Sequence, residues 1–201
     1  MSNDKLPLSF YRQDDVVNIA RQLVGKVLCT RIGDTLTSGI ITETEAYCGR
    51  NDKACHAHAG TRTERTETMY QGGGMAYIYL CYGIHHLFNI VTNVEDQADA
   101  VLVRAIEPLN GQQLMLQRRG STEVAPTLTA GPGRLTEALG ISRGYDQTSL
   151  QGEQIWIEEG EADFSDDELV ATQRVGIEYA EEDAELPWRF YPNESRWISK
   201  K

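Results

Sequence analysis

The sequence predicts an α/β chain of the α+β kind: one domain over residues 1–201, with a mostly antiparallel curved sheet, surrounding helices and a protruding β-hairpin. Three observations predict it. Short β-rich runs recur between turn residues, and the helical segments are few and short. A chain of 201 residues with 40% hydrophobic content is long enough for one well-packed unit and short for two.

The elements follow in order. Asp14 or Asp15 caps a helix whose Val16, Ile19, Ala20, Leu23 and Val24 fall at helical spacing, and Gly25 ends it. Lys26 to Ile32 reads as a strand, Gly33-Asp34 as a turn, and Thr35 to Ala46 as the next strand or two. From Tyr47 to Gly74 the composition shifts to Gly, Thr, Arg and His, the mark of a long surface loop, and loops of that length are often functional. Ala76 to Cys81 and His86 to Val91 are β-rich runs joined by Tyr82-Gly83-Ile84-His85, a hairpin with Tyr82 at its tip. Asn93 to Asp99 is a polar connection to a strand over Ala100 to Ile106, ended by Pro108. Gly111 to Arg119 is a short helix with a basic end. Leu135 to Leu139, introduced by Ala130-Gly131-Pro132-Gly133 and closed by Gly140, is another, and its first N–H groups suit a phosphate. Strands at Gln154 to Glu158 and Gln173 to Tyr179 complete the sheet.

A formal net charge of −11 argues at first against nucleic acid, because binding gains from neutralising phosphates. The charge is localised. Residues 151–185 hold thirteen acids against Arg174 alone, a net of −12, so the other 166 residues sum to −11 − (−12) = +1. The acidic stretch reads as a solvated outer face. In the remainder, Arg50, Lys53, Arg62, Arg65, Arg104, Arg118, Arg119, Arg134 and Arg143 are available to face a polyanion. No apolar run approaches the roughly 20 residues that cross a bilayer, and Met-Ser-Asn-Asp-Lys lacks the order of a secretion signal. A cytoplasmic protein with no membrane partner is expected. Cys29, Cys48, Cys55 and Cys81 show no CxxC spacing and read as reduced thiols, most of them buried.

Within Ile40 to Tyr47 the side chains alternate, so Ile41, Glu43, Glu45 and Tyr47 share one face of a strand, placing an acid and a flat ring together. Tyr82 at a loop tip has little core to pack on. Either it folds back onto the hairpin, or it is a wedge that fills the gap left when a nucleotide swings out of a duplex.

Glu43-Thr44-Glu45-Ala46-Tyr47, His56, Tyr79, Tyr82-Gly83, Asn89 and Arg104-Ala105-Ile106-Glu107-Pro108 together resemble the alkyladenine (3-methyladenine) DNA glycosylase family. The likeness continues through Gly131-Pro132-Gly133-Arg134-Leu135 and Arg174-Val175-Gly176-Ile177 and covers most of the chain. It implies one α/β domain whose hairpin enters the DNA minor groove, acting as a monomer on double-stranded DNA that contains damaged purines. Position by position, it implies Glu45 as the general base, with Arg104 beside it and the flipped nucleotide. It implies Tyr47, His56 and Tyr79 as walls of the base pocket, Asn89 as a residue that helps choose among purines, and Tyr82 as the intercalating residue. Gly72-Gly73-Gly74 departs from a proline-containing turn common in the family, which predicts a more mobile loop before Tyr77 and a looser pocket.

The residue types suit that chemistry. Breaking an N-glycosidic bond develops positive charge on the sugar, and one carboxylate can both stabilise it and orient water toward C1′. Only Lys53 lies near enough in sequence to form a Schiff base instead, so hydrolysis without strand cleavage, and with no cofactor or metal, is expected. Glu43 reads as a surface or structural carboxylate, since one base suffices, and Tyr77 as core. Tyrosines and a histidine can sandwich a purine and contact its polar edge, and a cationic alkylated base stacks more strongly on their faces. Asn89 can crowd the exocyclic amine of guanine. Two other readings stand: a non-catalytic binder of damaged nucleic acid, and a metal hydrolase using His56, His58, His85 or His86 with Glu43 or Glu45.

Overall fold

A computed structural model describes residues 4–160, 162, 164–165 and 167–201; the expected acidic face extends over 161, 163 and 166, which lie outside the described residues. Eight strands build one sheet: β1 (Val27–Ile32), β2 (Thr35–Tyr47), β3 (Ala76–Cys81), β4 (His85–Thr92), β5 (Asp99–Asn110), β6 (Ile155–Glu158), β7 (Leu169–Thr172) and β8 (Arg189–Pro192). The main path runs β3-β4-β5-β2-β1-β6, and β8 pairs with both β2 and β7. Every pairing among these strands is antiparallel, as the α+β reading requires. Among the described residues four short α-helices accompany the sheet: α1 (Leu8–Tyr11), α2 (Val16–Gln22), α3 (Gln112–Arg119) and α4 (Pro132–Leu139). Among the described residues no helix is long and apolar enough to cross a membrane.

Local chemistry explains the ends of these elements. Asp15 caps α2 by accepting from Asn18 N–H, and Gly25, at positive φ, follows it. Pro132 opens α4 and Gly140, in the left-handed region, closes it. One main core, including Ile19, Leu28, Ile41, Phe88, Val103 and Leu135, fills the space between sheet and helices.

Several expectations need correction. Thr35–Tyr47 is one long strand, and it is doubly bulged against β5: register shifts separate Ile41 from Glu43 and Glu43 from Thr44. Each bulge adds an unpaired residue and turns later side chains over. Ile41 therefore packs in the main core with Ala46 and does not share a face with Glu43 and Glu45. Strand β5 runs through Pro108, which sits opposite Gly39 at a further register shift, beyond the part of β5 that β4 pairs. An edge bulge needs no N–H there, so the proline is tolerated.

Gln173 to Tyr179 is not a strand. The strand is Leu169–Thr172, and Val175 N–H is drawn to a side chain, with Gly176 at positive φ just after it. Strand β8 escapes sequence reading because prolines at 187 and 192 bracket it. The stretch after Tyr47 is also more than a surface loop. Its Cys55, Ala57, Met69 and Tyr70 are buried with Tyr77, Val91 and Ala100 in a second small core. The triple glycine is pinned: Gly73 and Gly74 donate to Asn93 and Val91 carbonyls, and a Cβ on Gly73 would stand 2.5 Å from the Tyr11 carbonyl oxygen. These glycines permit close backbone approach, which tightens that loop.

Asp52 ties this layer to the C-terminal part of the chain. It takes both guanidinium nitrogens of Arg174, at 2.5 and 2.8 Å, with both side chains fully buried. Asp52→Asn leaves that guanidinium buried without its counter-ion, and urea denaturation should show a loss of about 3–5 kcal/mol.

Candidate active site

The β3–β4 hairpin ends as the sequence indicates. Tyr82 is 92% exposed and Ile84 beside it 72%, while Ile84 N–H returns to the Cys81 carbonyl. Tyr82 (φ 50) and Gly83 (φ 74) are both left-handed, the pairing of a tight primed turn. That first position favours Asn, Asp or Gly, so a tyrosine there costs about 1–2 kcal/mol of backbone preference and gains no burial. Folding does not explain its presence.

Behind the hairpin lies a cavity of about 480 Å³. Tyr47 from β2, Tyr77 and Tyr79 from β3, Asn89 from β4, Arg104 from β5 and His56 from the irregular layer all line it. The structure thus brings together the predicted pocket residues, with Tyr82 at its rim. His56 and Tyr79 meet edge to face, ring centres 4.7 Å apart. Tyr77, expected as core, is buried but lines the cavity, and its hydroxyl lies 3.1 Å from His56 Nδ1. Asn89 is held by the Tyr77 carbonyl, which takes its amide N–H at 3.2 Å.

Glu45 does not itself line the cavity. Its carboxylate is fully buried, one layer beneath the cavity wall. Oε2 accepts from the Tyr47 hydroxyl at 2.7 Å and from Arg104 at 3.2 Å, and Oε1 accepts Val175 N–H at 2.7 Å. All three donors belong to residues that line the cavity, so the carboxylate adjoins it through them. Oε1 retains one acceptor position.

Glu43, also fully buried, is the structural carboxylate. It accepts from Arg104, from Arg189 at 2.9 Å and from Ser199 N–H at 2.6 Å. Burial opposes the charge on Arg104, but Glu45 and Glu43 outweigh it and hold the guanidinium firmly protonated. Burial, then the charge of Glu45, pushes the Tyr47 phenol well above its usual range, so it stays a donor.

Arg65, expected only as a cation available to a polyanion, is a wall residue: it lies 3.2 Å from His56 Nε2 with its guanidinium over the Tyr79 ring. Arg174 similarly lies over Tyr47. Val175, Ile177 and Tyr179 complete the wall from a segment whose composition suggested only a strand. Lys53 does not reach in as a nucleophile: Glu181 and Glu182 hold its ammonium at 2.5 and 2.7 Å. Those acids are therefore not merely a solvated face. Of the nine cations expected to be available, Arg50, Arg62 and Arg119 are likewise paired with acids, Arg104 is buried, and Arg118 donates to the Ala138 carbonyl. Among the described residues Arg65, Arg134 and Arg143 make no ion pair.

The first turn of α4, considered for a phosphate, is occupied by a neighbour. A Cβ on Gly133 would stand 2.8 Å from the His85 ring. His56 is in the cavity and His85 at the hairpin, and among the described residues no three His, Cys, Asp or Glu side chains group as metal ligands. All four cysteines are free, and Cys29, Cys48 and Cys55 are buried.

Residues 9–196 match the family described as methylpurine-DNA glycosylase. Proteins named "Putative 3-methyladenine DNA glycosylase" align over nearly the whole chain. That of Chlamydia felis is 46% identical over 189 residues, 94% of this chain and 96% of its own. That of Chlamydia abortus is 47% identical over 186 residues, covering 92% and 96%. That of Desulfitobacterium hafniense is 42% identical over 205 residues, covering 98% and 99%.

Burial, and then Arg65, pushes the His56 pKa down to about 4 from 6.5. The ring therefore stays neutral where an unfolded histidine titrates, and its NMR signals should not shift between pH 7 and 5. Because the unfolded state takes up a proton first, stability should fall as pH drops from about 6.5 toward 5. His56→Phe should flatten that slope in pH-resolved thermal denaturation.

Proposed function

This chain belongs to the methylpurine-DNA glycosylase family, and from that premise we propose that it hydrolyses the N-glycosidic bond of flipped alkylated or deaminated purines in duplex DNA, without cutting the strand. Membership makes it a DNA glycosylase, a hydrolase of DNA repair. The finer reading rests on one observation: an aromatic-walled cavity whose wall covers a buried carboxylate paired with arginine.

In this reading Tyr82 enters the duplex where a nucleotide leaves, offsetting part of an unstacking cost of a few kcal/mol. The extruded purine stacks against Tyr47, Tyr79 and His56, and Asn89 tests its edge. As the C1′–N bond breaks, its electron pair leaves with the base and positive charge grows on the sugar. Glu45 stabilises that charge through the low-dielectric wall. Substrate entry, in this reading, opens the wall beside Tyr47, Arg104 and Val175, so that a water reaches the remaining acceptor position of Glu45 Oε1 and gives up a proton there while its oxygen bonds to C1′. The products are an abasic sugar and a free base: a cationic alkylated purine leaves neutral and Glu45 returns the water's proton to solvent, whereas a deaminated purine leaves as an anion and takes up a proton to become the free base.

The arrangement favours this over a binder that performs no chemistry. Pure stacking needs no buried ion pair, and burying Glu45 and Arg104 costs several kcal/mol per ion before their attraction is counted. With Lys53 engaged by two acids, the amine nearest in sequence to the site motif is not poised for a Schiff base. A monomer acting on DNA is the associated expectation.

Duplexes bearing 3-methyladenine, 7-methylguanine, hypoxanthine or ethenoadenine test the reading. Free base should appear with the sugar–phosphate strand intact. Glu45→Gln should slow release by about 10²–10⁴-fold while binding persists; release at the original rate would assign the base elsewhere. Tyr82→Ala should weaken duplex binding by about 1–3 kcal/mol without altering the cavity, as seen in a salt-controlled titration.

A further inference from the structure

The last residues of the chain fold back onto the site. Thr42 donates to the Trp197 carbonyl at 2.6 Å, and Arg189 donates to that of Lys200 at 2.8 Å. Between them Ser199 reaches the buried charges. Its N–H and hydroxyl both go to Glu43, at 2.6 and 2.9 Å, and its oxygen accepts from Arg104 Nε and Nη2 at 3.2 and 3.0 Å. Arg104 spends its remaining nitrogen, Nη1, on Glu45 at 3.2 Å.

We propose that Ser199 is a positioning residue for the reaction: by holding one edge of Arg104, it aims the other edge at the Glu45 carboxylate. This rests on the reading of Glu45 as the base. The geometry supports it in three ways. Arg104 is the unpaired residue of the β5 bulge, so the ladder does not fix its direction and side-chain partners must. Its guanidinium is a rigid fork, so fixing Nε and Nη2 fixes where Nη1 points. Glu43 alone does not fix it, because Glu43 is shared with Arg189 and reaches Arg104 through Nε only. Ser199 touches neither the cavity nor Glu45, and it lies beyond the residues matched to the family.

A purely packing role predicts lost stability, whereas a positioning role predicts a lost rate in a folded protein. The test uses the full chain and a duplex with one hypoxanthine under single-turnover conditions. Ser199→Ala should slow base release by about 10- to 100-fold, with duplex affinity and thermal midpoint close to those of the parent. Ser199→Thr, which keeps the hydroxyl, should restore the rate. A Ser199→Ala protein as fast as the parent overturns the proposal, as does a slowdown that follows a lower melting point and is not rescued by threonine. A parent that binds the duplex and releases no base overturns the Glu45 reading itself. NMR separates the two failures. The Arg104 Nε–H should exchange slowly in the parent and faster in Ser199→Ala, and equal exchange would refute the hold on Arg104.

Discussion

Two fully buried carboxylates, Glu43 and Glu45, set the terms for much of this structure. Taking an ion out of water costs several kcal/mol even after relaxation, and the cost is offset only when geometry satisfies the charge. Arg104 and Arg189 supply two guanidiniums, so the cluster is formally neutral. Meeting that demand draws in β5, β8, the Val175 turn and the C-terminal residues. The bulges in β2 and β5 are the backbone form of the same demand, because they put both acids and Arg104 on the side away from the main core. A regular ladder would have sent Ile41 to the charges.

The cavity is organised by a second constraint, the neutrality of its walls. His56 is uncharged near neutral pH because it is buried and faces Arg65. Tyr47 remains protonated beside Glu45 for the corresponding reason. Among the described residues the full charges at the wall are then guanidiniums, and Arg104 is already compensated. A flat ring entering this space meets aromatic faces and fixed donors in a medium where hydrogen bonds count for more than in water.

An acidic chain that acts on DNA needs its few free cations in the right place. Most of those near the site are spent on acids: Lys53 on Glu181 and Glu182, Arg62 on Glu67 and Asp96, Arg50 on Asp99. The hairpin tip carries no charge and offers Tyr82 and Ile84.

The sequence alone determined the class of the fold, the capped α2, the hairpin with Tyr82 at its tip and part of the cavity wall, Tyr47, His56, Tyr79, Asn89 and Arg104. Those features are local, written in period-two runs, capping residues and an ordered motif. Only the tertiary structure decided that Ile41 leaves the face of Glu43, that β5 passes through Pro108, that Val175 bonds to Glu45 with its backbone, and that the chain end holds Arg104. Bulges leave no mark in composition, and a backbone N–H is the same at every residue but proline. Bonds between positions 45 and 175, or 104 and 199, exist only after the sheet has formed, because what they satisfy is the burial that folding itself creates.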